Sequence, residues 1–326
     1  MALTSRTTRA EGPALVVLRA LGLGDLLTAV PALRGLAAAF PGHRRLLAAP
    51  ASLRPLIDLL SAAGTAYEVV DTDFRRRFSP LPPALHGADV AVNLHGRGPQ
   101  SHAALSQAQP RELLTYRHPG VPASAGGPDW DEEAHEVDRW CRLLHSAGIA
   151  ADPTRLTLDV PKAPAPPGSD PEPGVTIVHP GAGTPARRWP AARWAQVAMV
   201  SAAAGHRIVV TGGDGEVDLA REVARRAGLP TSAVLAGRTD LRRLMMLVAS
   251  ARLVLSGDTG VAHLAVALRI PSVVVFGPVS PTRWGPRIDP QLHRVLWSGM
   301  TGEEDSAAPD PGLLRITADM VLETFL

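Results

Sequence analysis

The sequence predicts an α/β protein made of two domains, each built on a doubly wound parallel sheet. Short apolar runs alternate with stretches of helical apolar spacing in both halves of the chain, which is typical of parallel sheets flanked by helices. Many of the apolar runs end in turns rich in glycine. A proline-rich stretch without apolar periodicity, Asp159–Gly174, separates the halves, and 326 residues are enough for two domains.

The N-terminal half opens with a strand, a glycine turn and a helix. The strand is Ala14–Leu18, and the helix carries Leu26 and Leu33. Leu27 stands where a dinucleotide-binding fingerprint has its third glycine, and no acidic residue ends the next strand, so both features count against NAD. The remaining elements are expected to be strands at Arg45–Ala49, Tyr67–Asp71, Val90–Leu94 and Glu112–Tyr116 and a helix at Glu132–Ser146. Their alternation predicts one parallel sheet.

The C-terminal half repeats this pattern, and its strands end in loops of small residues. Strands are expected at Val175–Val178, Arg207–Val210, Arg252–Ser256 and Pro271–Phe276. Helices are expected from about Ala192, over Leu241–Ala249, after Gly260 and at Thr317–Leu326. The loops at the strand ends are Gly181–Thr184, Gly212–Glu216, Gly257–Gly260 and Gly277–Pro278. Because ligands bind at the carboxyl edge of an open parallel sheet, these loops together predict a nucleotide pocket.

Composition excludes several classes of protein. The net charge is only +2, Lys162 is the single lysine, and the arginines alternate with acidic residues, so nucleic acid is not an expected partner. Cys141 is the only cysteine, which excludes disulfides and thiolate metal sites within one chain. Residues 1–13 lack the apolar region of a signal peptide, and no apolar run is long enough to span a membrane. We therefore expect a soluble, cytoplasmic protein.

The most specific pattern in the chain begins where the strand Arg252–Ser256 ends. It consists of Asp-Thr-Gly-x-x-His at 258–263, Pro-x-x-x-x-Phe-Gly at 271–277 and Pro-x-x-x-Gly-Pro at 281–286. Either Asp258 or Thr259 can cap the helix that follows, and the first N–H groups of that helix can bind an anion such as a diphosphate. As a whole, the pattern resembles the C-terminal signature of family 9 glycosyltransferases, the heptosyltransferase-like group.

Two further motifs resemble the same family. Gly24-Asp25, followed by LLTAVPAL, is similar to the N-terminal motif whose aspartate is the proposed catalytic base, although Asp25 also fits a helix cap or a partner of the helix dipole. The segment 187–190, Arg-Arg-Trp-Pro, is similar to a Lys-x-Trp-Pro motif whose lysine contacts the donor phosphates. Arg187 replaces that lysine, which keeps the charge but substitutes a planar fork for a point charge. Arg188 is the alternative phosphate contact.

The resemblance implies the glycosyltransferase B fold, in which two Rossmann-like domains face a cleft. The expected limits are 1–160 for an acceptor-binding domain, 161–174 for the linker, 175–313 for a nucleotide-sugar domain and 314–326 for a terminal helix that packs back on the first domain. The implied reaction is an inverting, metal-independent transfer of a heptose-like sugar from an ADP-sugar or other nucleotide-diphosphate sugar to a hydroxyl of a glycan or glycolipid. No cofactor is expected, and we expect a monomer whose only membrane contact is peripheral, through its acceptor at the inner face of the plasma membrane.

The resemblance and the strand-end loops together assign the expected site. Asp25 is the base, and Arg187 stabilises the departing diphosphate. Donor contacts are expected from Gly181, Gly183, Thr184, Arg188, Gly213, Glu216, Thr239, Asp258, Thr259, Gly260 and His263. Acceptor contacts are expected from Gly24, His95, Arg97 and Gln100. The segment that begins at His95 also fits an ordinary glycine-rich turn followed by a helix.

Other interpretations stay open. A nucleotide-sugar epimerase has the same fold, but it would turn over donor without an acceptor. A non-catalytic binding protein would keep the C-terminal loops with a degraded N-terminal motif, yet Gly24-Asp25 is intact. The segment 71–73, Asp-Thr-Asp, matches the metal-binding signature of a different glycosyltransferase class, and it also fits the turn chemistry that follows a strand. No metal site is therefore expected.

Overall fold

A parallel sheet of five strands forms the centre of the N-terminal domain in the computed structural model, which describes residues 12–74, 80–159 and 174–325. Its strands are β1 (Ala14–Leu18), β2 (Arg44–Ala49), β3 (Glu68–Asp71), β4 (Val90–Asn93) and β5 (Glu112–Leu114). They lie in the order β3-β2-β1-β4-β5. Because the strand order reverses between β1 and β4, the loops that follow these two strands diverge and leave a crevice.

Helices cover both faces of this sheet, so its central strands are buried on both sides and read as continuous apolar runs. The helices are α1 (Leu23–Thr28), α2 (Val30–Ala39), α3 (Arg54–Ala62), α4 (Gln100–Gln107) and α5 (Glu136–Ser146). Helix α5 begins at Glu136 and not at Glu132, because Nδ1 of His135 caps it by accepting a hydrogen bond from the Val137 N–H at 3.2 Å.

The C-terminal domain contains the second five-stranded parallel sheet. Its strands are β6 (Thr176–His179), β7 (Ile208–Val210), β8 (Leu253–Gly257), β9 (Ser272–Val275) and β10 (His293–Leu296), in the order β10-β9-β8-β6-β7. The edge strand β10 was not predicted, because its sequence HRVL is too short to show an apolar pattern. It forms a strand because it pairs in parallel with β9. The strand order reverses between β6 and β8, which places a second crevice at the loops after these strands.

Six helices accompany the second sheet within the described residues. They are α6 (Ala191–Ala203), α7 (Val217–Arg226), α8 (Leu241–Ala249), α9 (Gly260–Ala267), α10 (Pro281–Trp284) and α11 (Ala318–Leu322). None of the helices in the described ranges is long and apolar enough to cross a membrane. The predicted linker 161–174 lies outside the described residues except for Gly174, so the domain limits stay predictions.

The terminal helix packs on its own domain, and the prediction that it returns to the N-terminal domain is wrong. Ala318 and Val321 join the buried cluster that contains Trp189 and Trp194. The Trp189 indole N–H also donates a hydrogen bond to the main-chain oxygen of Ile316 at 3.0 Å. Trp189, just before α6, and Trp194, within α6, thus supply an apolar surface of the C-terminal domain on which the terminal helix packs.

The two domains meet where α1 and α9 begin. A Cβ atom on Gly24 would lie 2.8 Å from Cδ2 of His263, and one on Gly260 would lie 3.0 Å from Cβ of Leu23 and 3.1 Å from the Gly24 nitrogen. The close approach of the two backbones therefore requires glycine on both sides. Next to this contact, the Leu158 N–H donates to the Ala267 oxygen at 2.7 Å, and His135 Nε2 hydrogen-bonds the Gly285 oxygen at 2.9 Å.

We expect Gly260→Ala to destabilise the protein by about 1–3 kcal/mol, because the added methyl group overpacks a contact made by backbone atoms. Alanine is the better helix former, so a loss of stability cannot come from helix propensity. The matched control is Gly42→Ala, where a Cβ meets nothing within 4 Å. Thermal unfolding of the two variants measures the effect. Equal melting temperatures for Gly260→Ala and the wild type would contradict the close contact between α1 and α9.

Candidate active site

Asp25 lies in the first turn of α1, in the crevice of the N-terminal sheet. Its Oδ2 accepts a hydrogen bond from the Gly22 N–H at 3.0 Å, and its Oδ1 is 3.7 Å from Nη2 of Arg19. The side chain is 30% exposed, so a molecule in the cleft can reach it. Burial raises the pKa of Asp25, while the positive charge of Arg19 opposes that rise. The result is a carboxylate that is more basic than an exposed aspartate.

Arg19 is a buried cation beneath Asp25 that sequence reasoning missed. Its Nε donates to the main-chain oxygen of Asp25 at 2.9 Å, and its Nη2 donates to Glu136 Oε1 at 3.0 Å. Trp140 Nε1 donates to the same Glu136 oxygen at 2.9 Å, and the Arg19 guanidinium lies over the Trp140 ring. The sequence did contain a signal for Arg19, since this charged residue follows an apolar strand directly and precedes a glycine turn. Glu136 has no comparable sequence signal, because it is 117 residues away.

Arg187 projects from the loop after β6 toward the start of α9. Its Nη1 donates to Asp258 Oδ2 at 3.1 Å, and its Nη2 donates to Glu304 Oε2 at 2.7 Å. Nε of Arg188 instead donates to the Ala182 oxygen of its own loop at 3.2 Å. Of the two arginines, Arg187 is therefore the one that faces the residues at the start of α9.

Asp258 and Thr259 have different tasks at the start of α9. Thr259 is the cap, because its Oγ1 accepts from the Val261 N–H at 3.3 Å. Asp258 is only 6% exposed, and burial raises its pKa to about 6, an effect that Arg187 opposes. The negative charges of Glu304 and Asp25 add to the rise. The carboxylates of Asp25 and Asp258, one from each domain, are thus close enough to interact across the cleft.

The loops after β6 and β7 also meet, as predicted. The Glu216 carboxylate accepts from the Gly213 N–H at 2.8 Å, and a Cβ on Gly181 would lie 2.0 Å from Glu216 Oε1. Gly181 is therefore the residue that lets the two loops approach. Gly183 has open space around it, and Thr184 Oγ1 donates to the Glu304 main-chain oxygen at 2.8 Å.

Two other predicted donor residues lie farther along the C-terminal domain. Thr239 is half-buried in the loop before α8. The next residue, Asp240, caps α8, because its Oδ1 accepts a hydrogen bond from the Arg243 N–H at 2.8 Å. The structure places His263 at the contact between the domains, against Gly24 and with its ring centre 5.9 Å from that of Trp284. Burial lowers the pKa of His263 to about 4, and nearby cations add to this effect, so the ring is neutral at pH 7.

Among the predicted acceptor residues, only His95 joins Gly24 near Asp25. Its ring packs edge-to-face on Phe74, and burial together with the charge of Arg19 lowers its pKa to about 4. Arg97 is exposed and forms an ion pair with Glu132. Gln100 is exposed at the start of α4. His95 is therefore inside the crevice, whereas the other two side chains lie at its rim.

The described residues contain no group of three or more His, Cys, Asp or Glu side chains that could hold a metal ion. Asp71 belongs to the Asp-Thr-Asp segment that was considered as an alternative metal site. Its Oδ1 accepts a hydrogen bond from the Ala51 N–H at 2.8 Å. This contact joins the end of β3 to the segment that follows the neighbouring strand β2, 20 residues earlier in the chain.

Comparison with known proteins is consistent with this geometry. The family model described as glycosyltransferase family 9 (heptosyltransferase) matches residues 128–302, which is more than half of the chain. The chain belongs to glycosyltransferase family 9. The lipooligosaccharide heptosyltransferase 2 of Haemophilus ducreyi is 31% identical over 151 residues, which cover 43% of this chain. The match spans only 42% of the length of that family 9 relative.

Solved structures show the fold of this family 9 chain. The structure of Escherichia coli ADP-heptose lps heptosyltransferase II aligns with a TM-score of 0.75 and 22% identity, and the alignment covers 95% of this chain and 96% of that one. TibC of enterotoxigenic E. coli, described as an iron-containing dodecameric glycosyltransferase, aligns with a TM-score of 0.60 and 16% identity, over 96% of this chain and 75% of that one. The predicted glycosyltransferase B fold is confirmed.

Proposed function

We propose that this protein is an inverting glycosyltransferase that moves a heptose-like sugar from an ADP-sugar or other nucleotide-diphosphate sugar to a hydroxyl of a glycan or glycolipid. One observation carries the proposal. Asp25 of the N-terminal domain faces the Arg187–Asp258 pair of the C-terminal domain, next to the contact between α1 and α9. A proton acceptor and an anion site thus lie on opposite sides of one cleft, as single displacement at a sugar carbon requires.

The carboxylate of Asp25 is the base of this reaction. It takes the proton of the acceptor hydroxyl while the hydroxyl oxygen bonds to the anomeric carbon of the donor and the bond from that carbon to the diphosphate breaks. The raised pKa makes Asp25 a stronger base than an exposed aspartate, and Arg19 keeps the rise limited. The buried bonds of Arg19 to Thr28, Leu94 and Glu136 hold this cation in place.

The positive groups for the departing nucleoside diphosphate come from the C-terminal domain. Arg187 supplies a guanidinium fork, and the N–H groups at the start of the eight-residue helix α9, at Thr259 and Gly260, supply oriented dipoles. Asp258 accepts from Arg187 through Oδ2, and its other carboxylate oxygen is proposed to accept hydrogen bonds from donor-sugar hydroxyls. Glu216 is proposed to contact the nucleoside of the donor, and Thr239 is proposed as a further donor contact.

The acceptor binds on the N-terminal side, against Gly24 and His95, with Arg97 and Gln100 at the rim. We propose that the protein acts as a monomer in the cytoplasm and reaches a membrane-borne acceptor from the inner face of the plasma membrane. A lipopolysaccharide-type glycolipid is the acceptor class that the family indicates.

A panel of ADP-, UDP-, GDP- and CDP-sugars tests the proposal. Thermal unfolding identifies the donor, because a ligand at 100 times its Kd stabilises the folded state by about 2.7 kcal/mol. Consumption of that donor should require an acceptor. Turnover of the donor without any acceptor would favour an epimerase, and binding without turnover under any condition would favour a non-catalytic binding protein.

We expect sugar transfer to continue in excess EDTA, because Arg187 and the α9 N–H groups provide the positive charge that a cation would otherwise supply. The variant Asp73→Ala should be nearly silent for the same reason. Initial rates before and after chelation measure the effect. Activity that disappears with EDTA and returns with Mn²⁺, Mg²⁺ or iron would establish a metal requirement and revive the Asp71-Thr72-Asp73 hypothesis.

A further inference from the structure

The carboxylate of Glu304 lies between two guanidinium groups at the candidate donor site. Nη2 of Arg187 is 2.7 Å from its Oε2, and Nη1 of Arg283 is 3.6 Å from its Oε1. Glu304 is 42% exposed, whereas Arg187 and Arg283 are 23% and 25% exposed. An acidic side chain from the surface therefore occupies the point where two half-buried cations converge.

The two arginines come from different strand ends of the C-terminal sheet. Arg187 follows β6, and Arg283 is in α10, after β9. The loops that carry them pack closely, since a Cβ on Gly277 would lie 3.4 Å from the main-chain oxygen of Ala186. This edge of an open parallel sheet is where ligands bind. Both arginines are thus carried by segments that follow strands of the sheet, and neither belongs to the loop that carries Glu304.

The pair of arginines has more hydrogen-bonding capacity than Glu304 uses. Nε of Arg187 and Nε of Arg283 are both buried and have no hydrogen-bond partner within the described part of the chain. A buried N–H without a partner costs free energy. A carboxylate has two oxygens, and a diphosphate has several more with a higher charge, so the larger anion matches this set of donors better.

We propose that Arg283 is the second cation of the diphosphate site and that Glu304 is a resident carboxylate which the diphosphate displaces. The inference rests on the proposed function, because it names the residues that bind the donor of that reaction. Arg187 and Arg283 bind the diphosphate from two sides, and the Glu304 side chain turns toward solvent while Thr184 still holds its main-chain oxygen. Glu304 keeps the two guanidinium groups positioned when no donor is bound.

Calorimetric titration of the full-length protein with ADP, UDP, GDP and CDP, and with the corresponding nucleosides, tests the proposal. For the diphosphate that the wild type binds most tightly, Arg283→Gln should weaken binding roughly tenfold, the loss expected for one charge-assisted hydrogen bond. Affinity for the nucleoside should be unchanged. Arg283→Lys should recover part of the loss. The matched control is Arg294→Gln, at an exposed arginine of β10, which should bind like the wild type.

Glu304→Gln provides an independent test, because it removes the competing charge and leaves both arginines in place. This variant should bind the diphosphate several-fold more tightly than the wild type does. Weaker binding would show that Glu304 supports the site and is not displaced. Unchanged diphosphate affinity in Arg283→Gln, or an equal loss for diphosphate and nucleoside, would overturn the role of Arg283 and leave the proposed function intact. A wild type that binds none of the four diphosphates would overturn both.

Discussion

Asp25→Asn should lower the rate of sugar transfer by about 10²–10⁴, the usual contribution of a general base. Donor binding should be unchanged, because the donor contacts lie in the other domain. Asparagine keeps an oxygen for the Gly22 N–H and preserves the size of the side chain, so the fold should not change. Measured kcat together with donor affinity separates the two effects. The matched control is Asp58→Asn, at an exposed aspartate of α3.

The pH dependence gives a second measurement for Asp25. The base acts in its ionised form, and burial raises the pKa of Asp25. As the pH is lowered, kcat/KM should therefore begin to fall at a pH above about 3.9, the ordinary pKa of an aspartate. A raised folded-state pKa also means that the ionised form opposes folding at neutral pH. Asp25→Asn should therefore not reduce the melting temperature at pH 7. Near-wild-type turnover by this variant would remove Asp25 from the mechanism.

Arg187→Ala should reduce kcat/KM by about 10²–10³, the loss that follows removal of one group that stabilises developing charge. Both donor affinity and transfer should suffer, because the charge on the diphosphate grows as its bond to the anomeric carbon breaks. Arg187→Lys should recover part of the rate, since the family pattern has an ammonium at this position. Kinetic constants for these variants with one competent donor, and their melting temperatures, distinguish lost catalysis from lost stability.

Arg188→Ala is the matched control for Arg187. The Arg188 guanidinium is half-buried and donates to the Ala182 oxygen of its own loop, so Arg188→Ala should cost about 0.5–1.5 kcal/mol of stability, the net contribution of one hydrogen bond, and should slow transfer far less than Arg187→Ala does. Arg187→Ala also leaves the buried carboxylate of Asp258 without its cation, and the pKa of Asp258 should rise further above 6. If Arg187→Ala kept the wild-type kcat/KM and Arg188→Ala lost it, Arg188 and not Arg187 would be the phosphate contact.

The features that the sequence predicted well depend on short-range patterns. Apolar runs, helical spacing and glycine turns each involve a few consecutive residues, and they were sufficient to indicate two parallel sheets with loops at their carboxyl edges. Asp25 and Arg187 were found because each lies in a motif next to such a strand end. The roles of these residues stay predictions, but the structure brings both to the same cleft.

The errors and omissions concern contacts between distant parts of the chain. The terminal helix was expected on the N-terminal domain, and the apolar surface of Trp189 and Trp194 holds it on its own domain instead. The strand β10 exists because β9 offers it a partner, and four residues cannot show this by themselves.

The sequence by itself determined the fold class, the loops that surround the cleft and the two charged residues proposed for catalysis. Only the tertiary structure decided which charges meet. Arg19 reaches Glu136 and Arg187 reaches Glu304, and each pair is separated by 117 residues. The free energy of a buried or half-buried ion pair depends on distance, desolvation and neighbouring charges, and sequence separation carries no information about any of these.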